Sequence, residues 1–426
     1  MLFRSPAAGV VGAGRSAAAA SDERGLEGLI SFDMGGTSSD VSLVRDGAAE
    51  RTTDTEIGGV PIGLPMVDVT TVGAGGGSIA WVDAGGALRV GPRSAGADPG
   101  PACYGTGGTE PTVTDANLVL GYIGESTALG GELSLDAEAA ERALAALANE
   151  AGLEDARAAA RGVHRVANAT MTRAIRATTI ERGHDPRDFA LVAFGGAGPM
   201  HAATLAERLD VDTVVVPLGC GVLSALGLLG ADEKHDAVRT HRAVTDEADA
   251  EAVETVFDDL ETAVLAGTDD PAEATVERSA DLRYAGQSFE LEVAVERPVD
   301  PSAAERRFHE AHERVYGYRM DETVEFVNLR MTATIERSLP DVADEARGEA
   351  RLGEREALFG DGRRTTPVYA REGLAPGRTV DGPAIVEETE STIVVPPGWT
   401  ATVDADGTIV ATRDRDLASA GGELHE

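Results

Sequence analysis

Phe32-Asp33-Met34-Gly35-Gly36-Thr37-Ser38-Ser39-Asp40 sits inside the stretch LISFDMGGTSSDVSLVRDG, residues 29–47. Apolar runs on either side of the glycine pair predict two strands joined by a tight turn, the second closed by Asp46-Gly47. Gly35 and Gly36 let backbone approach a ligand where a Cβ would intrude. Consecutive N–H groups in such a turn form an anion-binding concavity, to which the hydroxyls of Thr37, Ser38 and Ser39 add donors. Asp33 and Asp40, at the two ends, suit a hydrated Mg²⁺ bridging phosphates, because Mg²⁺ keeps its waters and takes few carboxylates. The plainer reading is an ordinary hairpin, but DxGGTxxD is far rarer than a lone Gly-Gly. A P-loop would need GxxxxGK[ST], which a chain with Lys234 as its single lysine does not contain.

The second signal is Phe194-Gly195-Gly196-Ala197-Gly198-Pro199-Met200-His201. The apolar run Phe189–Phe194 predicts a buried strand, and the residues from about Met200 to Leu209 predict a helix. A glycine turn delivered to a helix N-terminus favours anions through free N–H groups and the helix dipole. Gly195, Gly196, Ala197 and Gly198 would then line a nucleoside. The spacing does not fit GxGxxG, so a Rossmann dinucleotide site is a poor match. Simple strand–helix packing explains the turn equally simply when it is taken alone. Together, however, the two motifs resemble the phosphate and adenosine elements of an actin-like (acetate/sugar kinase–actin type) ATPase lobe. His201 is the histidine singled out as catalytic, beside a capping or structural reading.

The chain has 426 residues, 42% of them hydrophobic but only 4% aromatic, so Ala, Val, Leu and Gly must fill the core. Its formal net charge is −36. Acids interrupt regular apolar patterns instead of forming blocks, which argues for a folded chain with a salt-adapted, halophilic surface. The same charge opposes binding to nucleic acid or an anionic membrane. Cys103 and Cys220 form no CxxC pair, and no apolar run reaches 18 residues. Gly9, Gly12, Gly14 and Arg15 break any signal-peptide core, and the expected location is cytoplasmic. The expected fold class is α/β: an actin-like lobe over 1–235, an α+β segment over 236–345, and a β-rich C-terminal domain over 346–426. Helices are expected over 136–152, opened by Asp136, and over 155–183, ended by Gly183 with Pro186 beyond.

Other candidates are weaker. Asp98, Cys103 and Asp115, with His201, have the chemistry for a second divalent metal, but their spacing matches no compact motif; solvated acids and a buried thiol are the alternative. Gly75–Gly77 either brings bare backbone to a ligand or simply bends. Arg173 and Arg176 are read as a helix surface, Glu181, Arg182 and His184 as a helix C-terminus, and His309 and His312 as surface residues of an acidic helix. Tyr284, Gln287 and Tyr316–Tyr318 are read as packing or subunit-contact residues.

With these stretches in hand, the chain resembles the hydantoinase/oxoprolinase family, specifically its ATP-binding A-type subunit. The resemblance rests on SPAAGVVGA, ISFDMGGTSSDVSLVRDG, TVGAGGGSIAWVD, GADPGPACYG, TVTDANLVLGY, IERGHDPRDFALVAFGGAGPMHA, GVLSALGLL, DLRYAGQSFELEV and VYGYRMDETVEFVNLRMTATIE, in the family's order. It implies ATP- and Mg²⁺-dependent opening of a small cyclic imide or lactam by carbonyl phosphorylation and hydrolysis, with a B-type partner subunit. Some relatives are ATP-dependent ketone carboxylases, often with a bound divalent metal. The family also carries another DxGGTxxD-like hairpin ahead of the region matched here, and no second DxGGTxxD occurs in this sequence. The expectation is therefore that a separate chain carries that domain, or that this chain is a nucleotide-binding remnant without catalysis of its own.

Overall fold

In the computed structural model, residues 4–52, 55–57, 60–62, 66–125, 134–340, 349–360 and 362–414 are described. The chain divides into two compact units, residues 1–230 with 339–426, and residues 231–338.

The first unit is built on a mixed nine-stranded sheet. Its strands are β1 (Gly28–Met34), β2 (Ser39–Arg45), β3 (Ala48–Ala49), β4 (Thr70–Val72), β5 (Phe189–Phe194), β6 (Thr213–Val216), β7 (Thr379–Asp381), β8 (Trp399–Val403) and β9 (Ile409–Arg413). The order across the sheet is β7-β8-β9-β6-β5-β1-β2-β3, with β4 also paired to β2. Strands β1, β5 and β6 run parallel, whereas β2 and β9 run antiparallel to their neighbours. Every residue of β5 and β6 is buried, as expected for strands covered on both faces.

Pleating decides which helix each side chain meets. Ser39 Oγ lies 3.5 Å from Met171 Sδ, so the face carrying Met34 and Ser39 packs beneath α4 (Ala156–Thr178). Val44 and Phe194 point the other way, against Gly14 and Gly9 of α1 (Arg4–Asp22). Capping sets the helix starts. Asp155 accepts from Ala158 N at 2.7 Å ahead of α4, and Asp136 from Ala139 N at 2.8 Å ahead of α3 (Ala137–Ala151), each bond contributing about 1 kcal/mol. Earlier in the chain, α2 (Val113–Val119) opens with a capping box of Thr112 and Asp115. After β5 come α5 (Gly198–Leu209) and, beyond β6, α6 (Leu223–Leu229).

The expected separate domain over 346–426 is not what the fold contains. Strands Thr379–Asp381, Trp399–Val403 and Ile409–Arg413 return to the first unit and extend its sheet, with Thr213 opposite Thr412 and Val216 opposite Ile409, while Arg351–Phe359, Gly362–Ala370, Ala384–Glu387 and Thr392–Val395 form a four-stranded sheet of their own within that unit. Buried Arg371 ties them in, donating from Nη2 to Val216 O at 3.2 Å and to Gly407 O at 2.7 Å. Residues 415–426 of that expected domain lie outside the described residues. A local acid–glycine turn, Asp83–Gly86, is a plain hairpin turn in which Asp83 Oδ1 accepts from Gly85 N and Ala87 N.

The second unit has a four-stranded antiparallel sheet in the order Glu233–Val244, Val324–Ile335, Thr275–Tyr284, Leu291–Ala294. Helices Ala250–Leu265 and Pro301–Tyr316 pack on it through Phe257 and Phe308. The expectation that His309 and His312 are surface residues is corrected here. Tyr284 is fully buried, its hydroxyl lies 2.9 Å from His309 Nδ1, and buried His312 reaches Tyr318 O at 2.7 Å. Both histidine rings project from the helix onto the Tyr284 ring, with centroids 5.6 Å away for His309 and 4.9 Å for His312.

Candidate functional site

The hairpin forms as its sequence suggests. Met34 pairs with Ser39, Asp33 pairs with Asp40, and Gly35 N donates to Ser38 O at 3.1 Å to close the turn. Directly opposed residues of an antiparallel pair share a face, so two carboxylates stand side by side on the face turned toward α6. Asp33 Oδ2 accepts from Ser224 Oγ of α6 at 3.2 Å, and Asp40 Oδ1 accepts from Thr71 Oγ1 of β4. Burial pushes the Asp33 carboxyl from 3.8 up to about 6, against the Ser224 hydrogen bond and with a further upward push from Asp40. Asp40 is also raised by burial, partly offset by Thr71. Two like charges held together with too few donors form a site that favours a cation.

Beneath the turn runs the glycine segment at 73–78. Gly76 N donates to Gly35 O at 3.0 Å, and Gly77 N to Gly36 O at 2.6 Å, so the two turns are stitched backbone to backbone. The approach is so close that a Cβ on Gly75 would lie 2.6 Å from both Thr37 N and Ser38 N. Thr114 N then donates to Gly76 O at 2.7 Å, fixing α2 under the same stack. The segment is thus a support for the hairpin, while Gly36 and Thr37 stay exposed above it.

The second motif meets the hairpin from the side. Ala197 N donates to Met34 O at 2.9 Å, and Gly195, at φ +79°, brings its Cα so near that a Cβ would lie 2.4 Å from Asp33 Oδ1. Gly195 to Gly198 therefore border the carboxylate pair at the start of α5. A third segment, the 388–391 turn, closes over them: Ser391 Oγ donates to Gly195 O at 3.2 Å and Cys220 Sγ lies 3.2 Å from Glu388 Oε2. Thr71, Ser224, Glu388 and Ser391 were not foreseen. Thr71 and Ser224 lie within or beside stretches already quoted for the resemblance, and the 388–391 turn carries no local signal for this role.

Other expected site residues lie elsewhere. His201 is fully buried, its Nδ1 3.2 Å from Asn168 Oδ1 and its Nε2 3.3 Å from Asn117 Nδ2, with His164 stacked on it at 4.9 Å. Burial, then His164, hold its pKa well below the ordinary histidine value. A neutral ring with both nitrogens engaged has a structural role, so the catalytic expectation for His201 is corrected. The second-metal set does not assemble either, since only Cys103 and Asp115 remain adjacent. Asp98 is exposed. Asp115 is buried and spends its carboxylate on Thr112 N at 2.8 Å, Thr112 Oγ1 at 2.7 Å, Cys103 N at 2.8 Å and Ala102 N at 3.3 Å. Burial and the neighbouring Asp115 push the Cys103 thiol far up, away from the thiolate a metal requires. Among the described residues no group of three or more His, Cys, Asp or Glu could hold a metal ion. Arg173 and Arg176 are exposed, in line with their reading. At the far end of α4, Arg182 pairs with Asp68, and His184 Nε2 lies 3.7 Å from Glu50.

Among the described residues no helix is long and apolar enough to cross a membrane. The family model described as Hydantoinase/oxoprolinase matches residues 2–237, and that of the Hydantoinase/oxoprolinase C-terminal domain matches residues 240–411. The caprolactamase subunit alpha of Pseudomonas jessenii is 38% identical over 91% of this chain and 58% of its own length. The 5-oxoprolinase 1 of Arabidopsis thaliana is 35% identical over 96% of this chain and 34% of its own. A nucleotide-free structure of acetone carboxylase, from work on ATP-dependent acetone carboxylation, superposes with a TM-score of 0.85 at 26% identity, covering 96% of this chain and 61% of that one. The chain therefore spans between about a third and three fifths of these relatives. Both halves of the sequence, and the fold with its hairpin and glycine segments, assign this chain to the hydantoinase/oxoprolinase family.

Proposed function

We propose that this chain is the nucleotide-binding part of an ATP-dependent enzyme that opens a small cyclic amide, and that its first unit is one lobe of an actin-like ATPase. The observation that carries the reading is the facing pair Asp33 and Asp40 at the mouth of the Gly35–Ser38 turn. Two facing carboxylates beside the exposed Gly36–Thr37 backbone fit Mg²⁺, which accepts one or two protein ligands and takes its remaining ligands from water and phosphate. When bound, Mg²⁺ would neutralise charge developing on the phosphates. The N–H groups and hydroxyls of Gly35–Ser38 would hold phosphate oxygens, and Gly195–Gly198 at the start of α5 would line the nucleoside. Phosphoryl transfer to the ring carbonyl oxygen would activate its carbon toward water; the ring C–N bond would then break with a proton passing to the nitrogen, leaving an acyl phosphate that a second water hydrolyses to the open-chain carboxylate and phosphate. Supporting this substrate class are the caprolactamase and 5-oxoprolinase relatives.

The partner proposed is a B-type subunit, in a cytoplasmic assembly where a second phosphate hairpin faces this one. The acidic surface fits a high-salt setting. In that assembly, Asp33→Ala and Asp40→Asn are expected to weaken Mg·ATP binding at least ~10-fold, the equivalent of about 1.4 kcal/mol. Unchanged ATP affinity and ATPase rate would remove the assignment. The likeness to acetone carboxylase favours a second reading, ATP-dependent carboxylation of a ketone. ATP consumption with acetone or acetophenone plus bicarbonate, compared with that on hydantoin or 5-oxoproline, separates the two. ATP binding without turnover on any of them would favour a non-catalytic nucleotide-binding role.

A further inference from the structure

Helix α4 departs from the charge of the chain. It carries five arginines and no Asp or Glu, in a sequence whose net charge is −36. At its C-terminal end a cavity of about 480 Å³ opens between the helix, the 180–187 segment and the end of α5. Arg176 of α4 and Arg208 of α5 stand at its wall, and Arg176 Nη2 donates to the Arg208 carbonyl at 3.1 Å. That contact engages only a backbone oxygen. Among the described residues the guanidinium of half-buried Arg208 has no ion pair or hydrogen bond. Burial and the nearby Arg165 disfavour its charged form, partly offset by the neighbouring Glu207.

The remaining wall is of two kinds. Ile180, Pro186 and Leu209 give it an apolar floor, whereas Asp185 is occupied by Arg187, its Oδ1 2.9 Å from Arg187 Nε. Asp210 is exposed at the lip. The volume lies within the range that holds a small ligand. This cavity is also remote from the hairpin. Strand β5 begins at Phe189 beside the cavity wall and ends at Phe194 before Gly195, a span of roughly 20 Å at about 3.3 Å per residue.

From these features we infer a second ligand site: the cavity binds a small organic carboxylate, its head between Arg176 and Arg208 and its apolar stem on Ile180 and Leu209. Guanidinium forks match carboxylates bidentately, and the apolar floor distinguishes an organic acid from an inorganic anion.

Hexanoate, hexylamine and inorganic phosphate are the probes, titrated into the full chain by calorimetry and ligand-observed NMR. Hexanoate is expected to bind at least tenfold more tightly than either of the others. Arg208→Gln is expected to weaken it at least tenfold. Because Arg208 is half-buried, Ile180→Asp at an exposed position is the second variant and should also lose hexanoate. Equal binding of hexylamine, phosphate binding as tight as hexanoate, or unchanged hexanoate affinity in both variants would each overturn the site.

Discussion

Replacing the Asp33 carboxylate by an amide tests whether the hairpin trades stability for a cation site. A carboxyl whose folded pKa is about 6 and whose unfolded value is 3.8 holds its proton more tightly in the native state. Its contribution to stability is therefore most favourable at low pH and falls as pH rises from about 3.8 to about 6. Above that window the ionised, desolvated Asp33 costs at most about 3 kcal/mol, and at pH 5 about 1.5 kcal/mol. The amide of the Asp33→Asn variant cannot ionise, keeps an acceptor for the Ser224 hydroxyl, and no longer repels Asp40. Urea titrations of the metal-free chain should show Asp33→Asn more stable by about 2–3 kcal/mol at pH 8, with roughly half the gain at pH 5. Mg·ATP should stabilise the native chain and not the variant. A variant less stable than native at pH 8, or a gain independent of pH, would refute the reasoning, because it would mean that Asp33 is already satisfied by its protein partners.

Gly75→Ala should cost at least about 2 kcal/mol, since its Cβ would sit 2.6 Å from two backbone nitrogens of the hairpin turn; urea midpoints give the loss, and ATP affinity should fall with it. His164 should act with the opposite sign to Asp33. Burial, then Arg208, lower its folded pKa to about 4, so the stability it contributes is present above about 6.5 and is lost as pH falls toward 4. The loss should be about 2 kcal/mol, less than the full shift implies because the residue keeps part of its surface in solvent; His164→Gln should flatten that limb of the pH–stability curve.

The hairpin was legible because its signal is local: two glycines, two acids and flanking strands fix both the turn and the opposition of Asp33 to Asp40. The role of Gly75 was open between a bend and a close approach, because its partner is backbone nearly forty residues earlier and no residue pattern encodes that packing. Asp115 looked like a loose acid, although Thr112-x-x-Asp115 is itself a capping-box signature at the start of a helix. His201 lay in the right motif, but its side chain turns inward to Asn168 and His164, a direction set by the helix it opens. Strands 399–403 and 409–413 read as a separate domain because their turns are local, while their pairing partner is β6, far back in the sequence.

That last pairing has a consequence for biogenesis. About 190 residues separate Val216 from its partner Ile409. On a ribosome working at 5–20 residues per second, β6 would wait roughly 10–40 s for its neighbour. During that interval Thr213–Val216, sequence TVVV, offers an unpaired edge of β-branched residues, the kind of edge that recruits foreign strands. The 231–338 unit emerges entirely within that pause and closes its own sheet first. Premature termination between residues 338 and 409 would then yield a nascent chain whose second unit is folded and whose first is sticky, a natural client for a holdase.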